Sequence, residues 1–133
     1  RERYQGKDQL VKDILIEEIR IADNDDTMMA TENQIELKTP KYIYKIRDSR
    51  ECCEEKYFDT PDDLNEFKNF KILKIDIGEE TDPVPEGEFG LKKQTMFLHF
   101  ITDKGVLTFN AYNINNGWYC GFNIEWEKEA VNE

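Results

Sequence analysis

Apolar and polar residues alternate along most of this chain, and the period is two. Over residues 95–102, Met96, Leu98 and Phe100 fall on one side and Thr95, Phe97, His99 and Ile101 on the other. Residues 106–112 repeat the pattern. Residues 118–126 repeat it again, with Trp118, Cys120, Phe122, Ile124 and Trp126 on one face. These stretches predict three consecutive strands of a sheet packed on one side. Asp103-Lys104-Gly105 makes a tight hairpin turn between the first two, and the Asn-rich run 113–117 a second turn.

The first half reads similarly. Residues 10–22 carry Ile14, Ile16, Ile19 and Ile21, and the alternation slips by one at Glu17-Glu18, as at a β-bulge. A helical stripe of Leu15, Ile19 and Ala22 fits less well, because isoleucine-rich segments favour strands. A run ending in Ile35 and Leu37 is broken by Thr39-Pro40, and residues 41–47 and 71–77 form further strands. One segment departs from the period. Thr60 offers an N-cap, Pro61 suits the first helical position, and Asp63 sits where a capping-box acid belongs. The spacing predicts a short helix from Pro61 to near Asn69, with Leu64 and Phe67 on its buried side. The expected class is therefore α+β: a twisted, mainly antiparallel sheet with one short helix packed on a face. The chain is expected to be a single domain, 1–133, with flexible ends at 1–9 and 127–133. Residues 78–90 hold two prolines and five acids (Glu79, Glu80, Asp82, Glu86 and Glu88), which predicts a long surface loop.

Composition narrows the function. Of 133 residues, 29 are acidic and 18 basic, giving a net charge of −11. Such a chain repels nucleic-acid backbones and favours a partner with a basic surface. No apolar run reaches the roughly 18 residues that span a bilayer. Three cysteines, two of them adjacent, do not make a disulfide framework, and a reducing cytoplasm is the expected setting. The chain starts on Arg1 rather than Met, which implies a segment upstream.

The candidate chemistries are sparse. Cys52 and Cys53 would need Cys120 and His99 to complete a zinc site, but no C-x-x-C or H-x-x-x-H spacing supports one. Glu51, Glu54 and Glu55 raise thiol pKa values, against a redox role. His99 has no identifiable nucleophile or orienting acid. Asp23-x-Asp25-Asp26 lacks the glycine and distal glutamate of a calcium loop. No metal, cofactor or catalytic residue is predicted. Two binding surfaces remain. The acids Glu79, Glu80, Glu86 and Glu88, with Trp118 or Tyr119 as an aromatic anchor, would suit a basic protein. Alternatively, Tyr112, Asn113, Asn115, Asn116 and Tyr119 would hold a nucleotide or sugar by stacking and amide hydrogen bonds. The plain reading of those aromatics is a hairpin pinned by cross-strand pairs.

Glu51-Cys52-Cys53-Glu54, the stretch 57–67, and Asn113-Ile114-Asn115-Asn116-Gly117-Trp118-Tyr119-Cys120-Gly121-Phe122 occur here in one order. In this the chain resembles a family of small bacteriophage and bacterial domains of unknown function, over roughly residues 10–126. The family often has a histidine in the Asn-rich turn and a small residue at the position of Cys120, and this chain has neither. The resemblance implies a phage or mobile-element origin and no established activity. The expectation is a small, non-enzymatic, acidic protein in the bacterial cytoplasm that binds a host or phage protein and acts as a counter-defence inhibitor. The alternative is a small-molecule sequestering protein.

Overall fold

The computed structural model of the protein describes residues 11–23, 33–49, 54–87, 89–118 and 121–131. Nine strands carry nearly all of it: β1 (Leu15–Asp23), β2 (Asn33–Lys38), β3 (Tyr42–Asp48), β4 (Glu55–Asp59), β5 (Lys68–Glu80), β6 (Val84–Pro85), β7 (Lys92–Thr102), β8 (Gly105–Asn115) and β9 (Ile124–Ala130). They form one sheet in the order β4-β8-β7-β5-β1-β2-β3-β9, with β6 added beside β7. Every strand pair is antiparallel.

The predicted α+β class is wrong: the fold is nearly all antiparallel β, and no α-helix packs on the sheet among the described residues. The capping residues around Thr60 are put to other uses. Asp63 caps only a single 3-10 turn, Leu64–Glu66, by accepting from Asn65 N. Thr60 Oγ1 donates to Thr108 O at 2.6 Å, and Asp62 Oδ2 accepts from Thr108 N at 2.7 Å, so these side chains bind strand β8 instead of a helix end. From Lys68 onward the chain is taken by β1, with Ile16 opposite Phe70 and Glu18 opposite Lys68. A helix through Asn69 would have offered the core only Leu64 and Phe67, both half-buried. The extended chain buries Phe70 and Ile72 completely. At roughly 25 cal/mol per Å2 of apolar surface, that burial outweighs a capping preference of about 1 kcal/mol.

The 13-residue β5 makes the sheet fold over. Its first residues pair with β1, and from Ile72 onward it pairs with β7, with register shifts between Ile72 and Lys74 and between Ile77 and Glu80. Asn69 supplies a left-handed backbone, φ 53°, at the bend, which asparagine tolerates better than most residues. The slip read at Glu17-Glu18 is real in the burial: Ile16 and Ile19, three apart, both point inward. The bent sheet encloses one core. Ile35, Leu37 and Ile46 come from one half, and Phe58, Met96, Leu98, Phe100, Leu107 and Phe109 from the other.

The bend brings β4, at one end of the sheet, beside β2. There the side-chain amide of Asn33 stands in for a strand backbone: Nδ2 donates to Phe58 O at 3.0 Å, and Oδ1 accepts from Phe58 N at 2.8 Å. An edge that would otherwise leave polar backbone unpaired is thereby closed. On the outer face of the other half, charges alternate in sign across strands. Arg20 bonds Glu36, Gln34 links Glu36 to Arg47, and Arg47 and Lys45 pair with Glu127 and Glu129. Residues 127–130, expected in a loose tail, are thus held as the end of β9 against β3.

Asn33→Asp keeps the acceptor for Phe58 N–H and removes the donor to Phe58 O, placing a carboxylate against a carbonyl. Urea unfolding should show a loss of about 1–3 kcal/mol, and Phe109→Ala, in the centre of the core, a loss of about 3–5 kcal/mol.

Candidate functional site

One end of the sheet carries Glu80, Glu86 and Trp118, the partner-binding candidates whose side chains are described. Strand β7 starts at Lys92, opposite Asn115 near the end of β8. Before Lys92 lies the tip of the β6–β7 hairpin, closed by Glu86 N donating to Leu91 O at 2.9 Å. After Asn115 comes the loop 116–123 that carries Trp118, and Gly117 packs close to Lys92. Hairpin tip and loop therefore leave the same end of the sheet.

The tip is built from residues a strand does not accept. Gly87, Phe89 and Gly90 all have left-handed backbones, with φ of 64°, 68° and 73°. Two of them are glycines, for which this is free. Phe89 is not, and a bulky residue there is strained by about 1–3 kcal/mol. The strained residue is also 95% exposed. Val84, Leu91 and Trp118, the last 86% exposed, add apolar surface nearby in the fold. Glu86 and Asp82 belong to the same hairpin, and Glu80 to the β5 end that leads into it.

Beneath the Trp118 loop lies a network of buried polar side chains. Gly117 N donates to Asn115 Oδ1 at 2.6 Å, and Asn115 Nδ2 to Asn113 Oδ1 at 3.1 Å. Asn113 Nδ2 donates to Gly121 O at 2.8 Å, and Gly121 N to Gln94 Oε1 at 2.7 Å. Asn123 N donates to Asp48 Oδ1 at 2.7 Å, and its side chain to Ser49 Oγ. The loop is thus tied to β3, β7 and β8 at both ends while its aromatic tip stays in solvent.

Asp48 anchors this network and is only 1% exposed. Lys56, 3% exposed, donates to Asp48 Oδ1 at 3.0 Å and to Ser49 O, and lies 3.1 Å from Glu54. Burial pushes the Asp48 carboxyl up to about 6, against the lowering influence of the Lys56 ammonium and the Asn123 N–H.

Of the five residues proposed for a nucleotide or sugar, the four that are described do not converge. Tyr112 faces outward against Tyr57, the rings tilted by 35° with centres 4.9 Å apart, and Lys93 Nζ lies 4.4 Å from its ring centre. Burial, reinforced by Asp59, holds its phenol above the ordinary value. Asn113 and Asn115 point the opposite way, into the network, and Asn116 Oδ1 accepts from Trp118 N. Glu88, Tyr119, Cys52, Cys53 and Cys120 lie outside the described residues, as does the Glu79 side chain. Among the described residues no group of three or more His, Cys, Asp or Glu is placed to hold a metal ion. His99 lies on the outer face, stacked on Phe97 and hydrogen-bonded through Nδ1 to Thr108 Oγ1 at 3.1 Å. No helix among the described residues is long and apolar enough to cross a membrane.

Reading by alternation missed Phe89. It sits inside a stretch whose acids and prolines marked it as a loop, and the available signal was an aromatic residue flanked by Gly87 and Gly90 in an otherwise polar turn.

An all-β domain with an aromatic and acidic tip is the class of protein that fold and site define. The chain belongs to the family described as Domain of unknown function (DUF7448), whose model matches residues 8–125. No curated protein and no solved structure matches it.

Asp48 sets a pH dependence. Its carboxyl binds a proton more tightly in the folded state, about 6, than at its ordinary value of 3.8. Its contribution to stability is therefore greatest below about 3.8 and is lost as pH rises through about 6. The full window amounts to about 3 kcal/mol. Denaturant midpoints of wild type and Asp48→Asn between these limits should differ in slope, with the wild type losing more stability as pH rises.

Proposed function

We propose that this is a binding protein, not an enzyme, which docks on a basic protein surface through the hairpin tip and the Trp118 loop. The observation that carries this reading is Phe89, a phenylalanine held on a left-handed backbone and presented almost wholly to solvent. Strain of this kind persists where the surrounding structure imposes it, and it is concentrated at functional positions. Exposed Val84, Leu91 and Trp118 supply apolar area for the centre of an interface. The acids Glu80, Asp82 and Glu86, joined in sequence by Glu79 and Glu88, supply a rim matched to basic partners, as does the net charge of −11. Tyr119, beside Trp118, would extend the aromatic anchor. The reading extends to a phage or mobile-element protein in the bacterial cytoplasm, occupying the basic groove of a host or phage protein. A nuclease of host defence has such a groove.

Anchor and rim should fail differently. Phe89→Ser and Trp118→Ser should speed dissociation, with a loss of about 2–4 kcal/mol each if the side chain is a central anchor. Glu80→Gln with Glu86→Gln should slow association and flatten its salt dependence, leaving dissociation nearly unchanged. The measurement is capture from bacterial lysate by wild type and by each variant, then surface-plasmon kinetics on whatever the wild type alone retains. Capture that Phe89→Ser and Trp118→Ser leave intact overturns this reading. So does an empty capture with a nucleotide or sugar co-purifying.

A further inference from the structure

At the other end of β3 and β9 lies a cleft of about 480 Å3, lined by Ile14, Leu15, Thr39, Pro40, Lys41, Tyr42, Tyr44 and Lys128. Its size falls within the roughly 300–1,000 Å3 of small-molecule sites. It is separate from the interaction tip. Tyr42 pairs with Ala130 at this end of the strands, and Asp48 with Ile124 at the end beneath the Trp118 loop. Seven residues of β3 at about 3.3 Å each keep the two some 20 Å apart.

The cleft runs against the character of the chain. The protein carries 29 acids against 18 basic residues, yet among the described residues the lining holds two lysines and no acid. Neither lysine is in an ion pair among the described residues, a state they share with other surface lysines such as Lys38 and Lys93. Lys128, itself exposed, places Nζ 3.9 Å from the ring centre of Tyr42, so its charge faces an aromatic ring. Tyr42 and Tyr44 stand 6.2 Å apart, tilted by 59°, and with Ile14, Leu15 and Pro40 they make an apolar floor. The wall is rigid. Thr39, buried, holds the β2–β3 turn by accepting from Tyr42 N at 2.9 Å and donating to Tyr42 O at 2.8 Å, and Val131 N donates to Lys41 O at 3.0 Å. Two residues along the same face of β9, the Trp126 indole N–H is buried with no acceptor among the described residues. An apolar floor beside two cations that have no anionic partner among the described residues has one chemical complement.

We propose that this cleft binds a small amphiphilic anion: an apolar or aromatic body on the tyrosine floor, with a single acidic head between Lys41 and Lys128. A carboxylate and a phosphate head satisfy the same chemistry.

The test uses the full chain and a matched pair of probes. Anilinonaphthalene sulfonate has the body and the charge; N-phenylnaphthylamine has the same body and no charge. The sulfonate should brighten and saturate on the folded protein at one site per chain, and the neutral probe should bind more weakly. Lys41→Gln with Lys128→Gln should weaken the sulfonate by about tenfold or more, the loss expected when a charged hydrogen bond is removed, and leave the neutral probe unchanged. Leu15→Glu, at the exposed edge of that floor, should repel the sulfonate through charge. A thermal melt of each variant confirms that the fold persists. Decanoate and decyl phosphate, each competing against the sulfonate, distinguish the two heads. Equal binding of both probes overturns the proposal, as does sulfonate binding that the lysine variants do not change. The tip variants Phe89→Ser and Trp118→Ser should leave the titration unaltered, so failure here and failure of the docking surface are read separately.

Discussion

The structure depends on one strand shared by the two halves of the sheet. Residues Lys68 to Lys71 of β5 complete the pairing of β1, and from Ile72 the same strand becomes the neighbour of β7. A flat sheet of this many strands would expose one apolar face. Bent at β5, it turns that face onto itself, and eighteen apolar side chains form a single core without a helix to cover them. The bend also sets the ends of the sheet. It carries β4 to β2, where Asn33 closes the Phe58 edge, and it brings Asp48 of β3 to Lys56 of β4. An α-helix at 61–69 would have taken Lys68 and Asn69 out of the β5 segment that pairs with β1.

Closure creates the buried polar network, and the network gives the surface its shape. A lysine, an aspartate and several amides removed from water are tolerable only when paired with one another. Their pairing fixes the ends of the 116–123 loop. Trp118 can then stand in solvent without the loop collapsing onto the core. The hairpin tip follows a similar logic: the backbone bond from Glu86 to Leu91 holds the turn shut, and Phe89 takes a conformation it would not choose. At the far end, the bonds of Thr39 hold open a cleft lined by cations. Rigidity under an exposed feature is common to all three places, and it reduces the ordering that binding would otherwise require.

Much of the fold was legible because strand periodicity is a local property. Met96, Leu98 and Phe100 alternate, they are buried, and their neighbours in sequence are enough to tell so. The Asp103-Lys104-Gly105 turn was equally local: Thr102 pairs with Gly105. The helix expected after Thr60 failed because capping signals are also local, and they cannot register that β1 lacks a neighbour. Thr60, Asp62 and Asp63 form the hydrogen bonds their chemistry allows, but largely to β8, which lies more than forty residues further along the chain. Trp118 was placed on a buried strand face with Phe122 and Ile124. Only those two are buried, since the strand starts at Ile124 and belongs to β3.

The sequence by itself determined most of the strands, the inward faces of β7 and β8, the hairpin turn between them and the excess of acids, since each follows from the order of residue types within about ten positions; β4, β6 and the start of β9 at Ile124 do not. Tertiary structure alone decided that β5 is shared, that Asn113 and Asn115 face away from Tyr112 into a buried network, and that Phe89 is held out on a strained turn. It alone brought Lys41 and Lys128, far apart in sequence, to the rim of one aromatic cleft. The physical reason is the same in each case: these are pairings between distant segments, and which segment satisfies which hydrogen bond or covers which apolar face is settled only when the sheet closes.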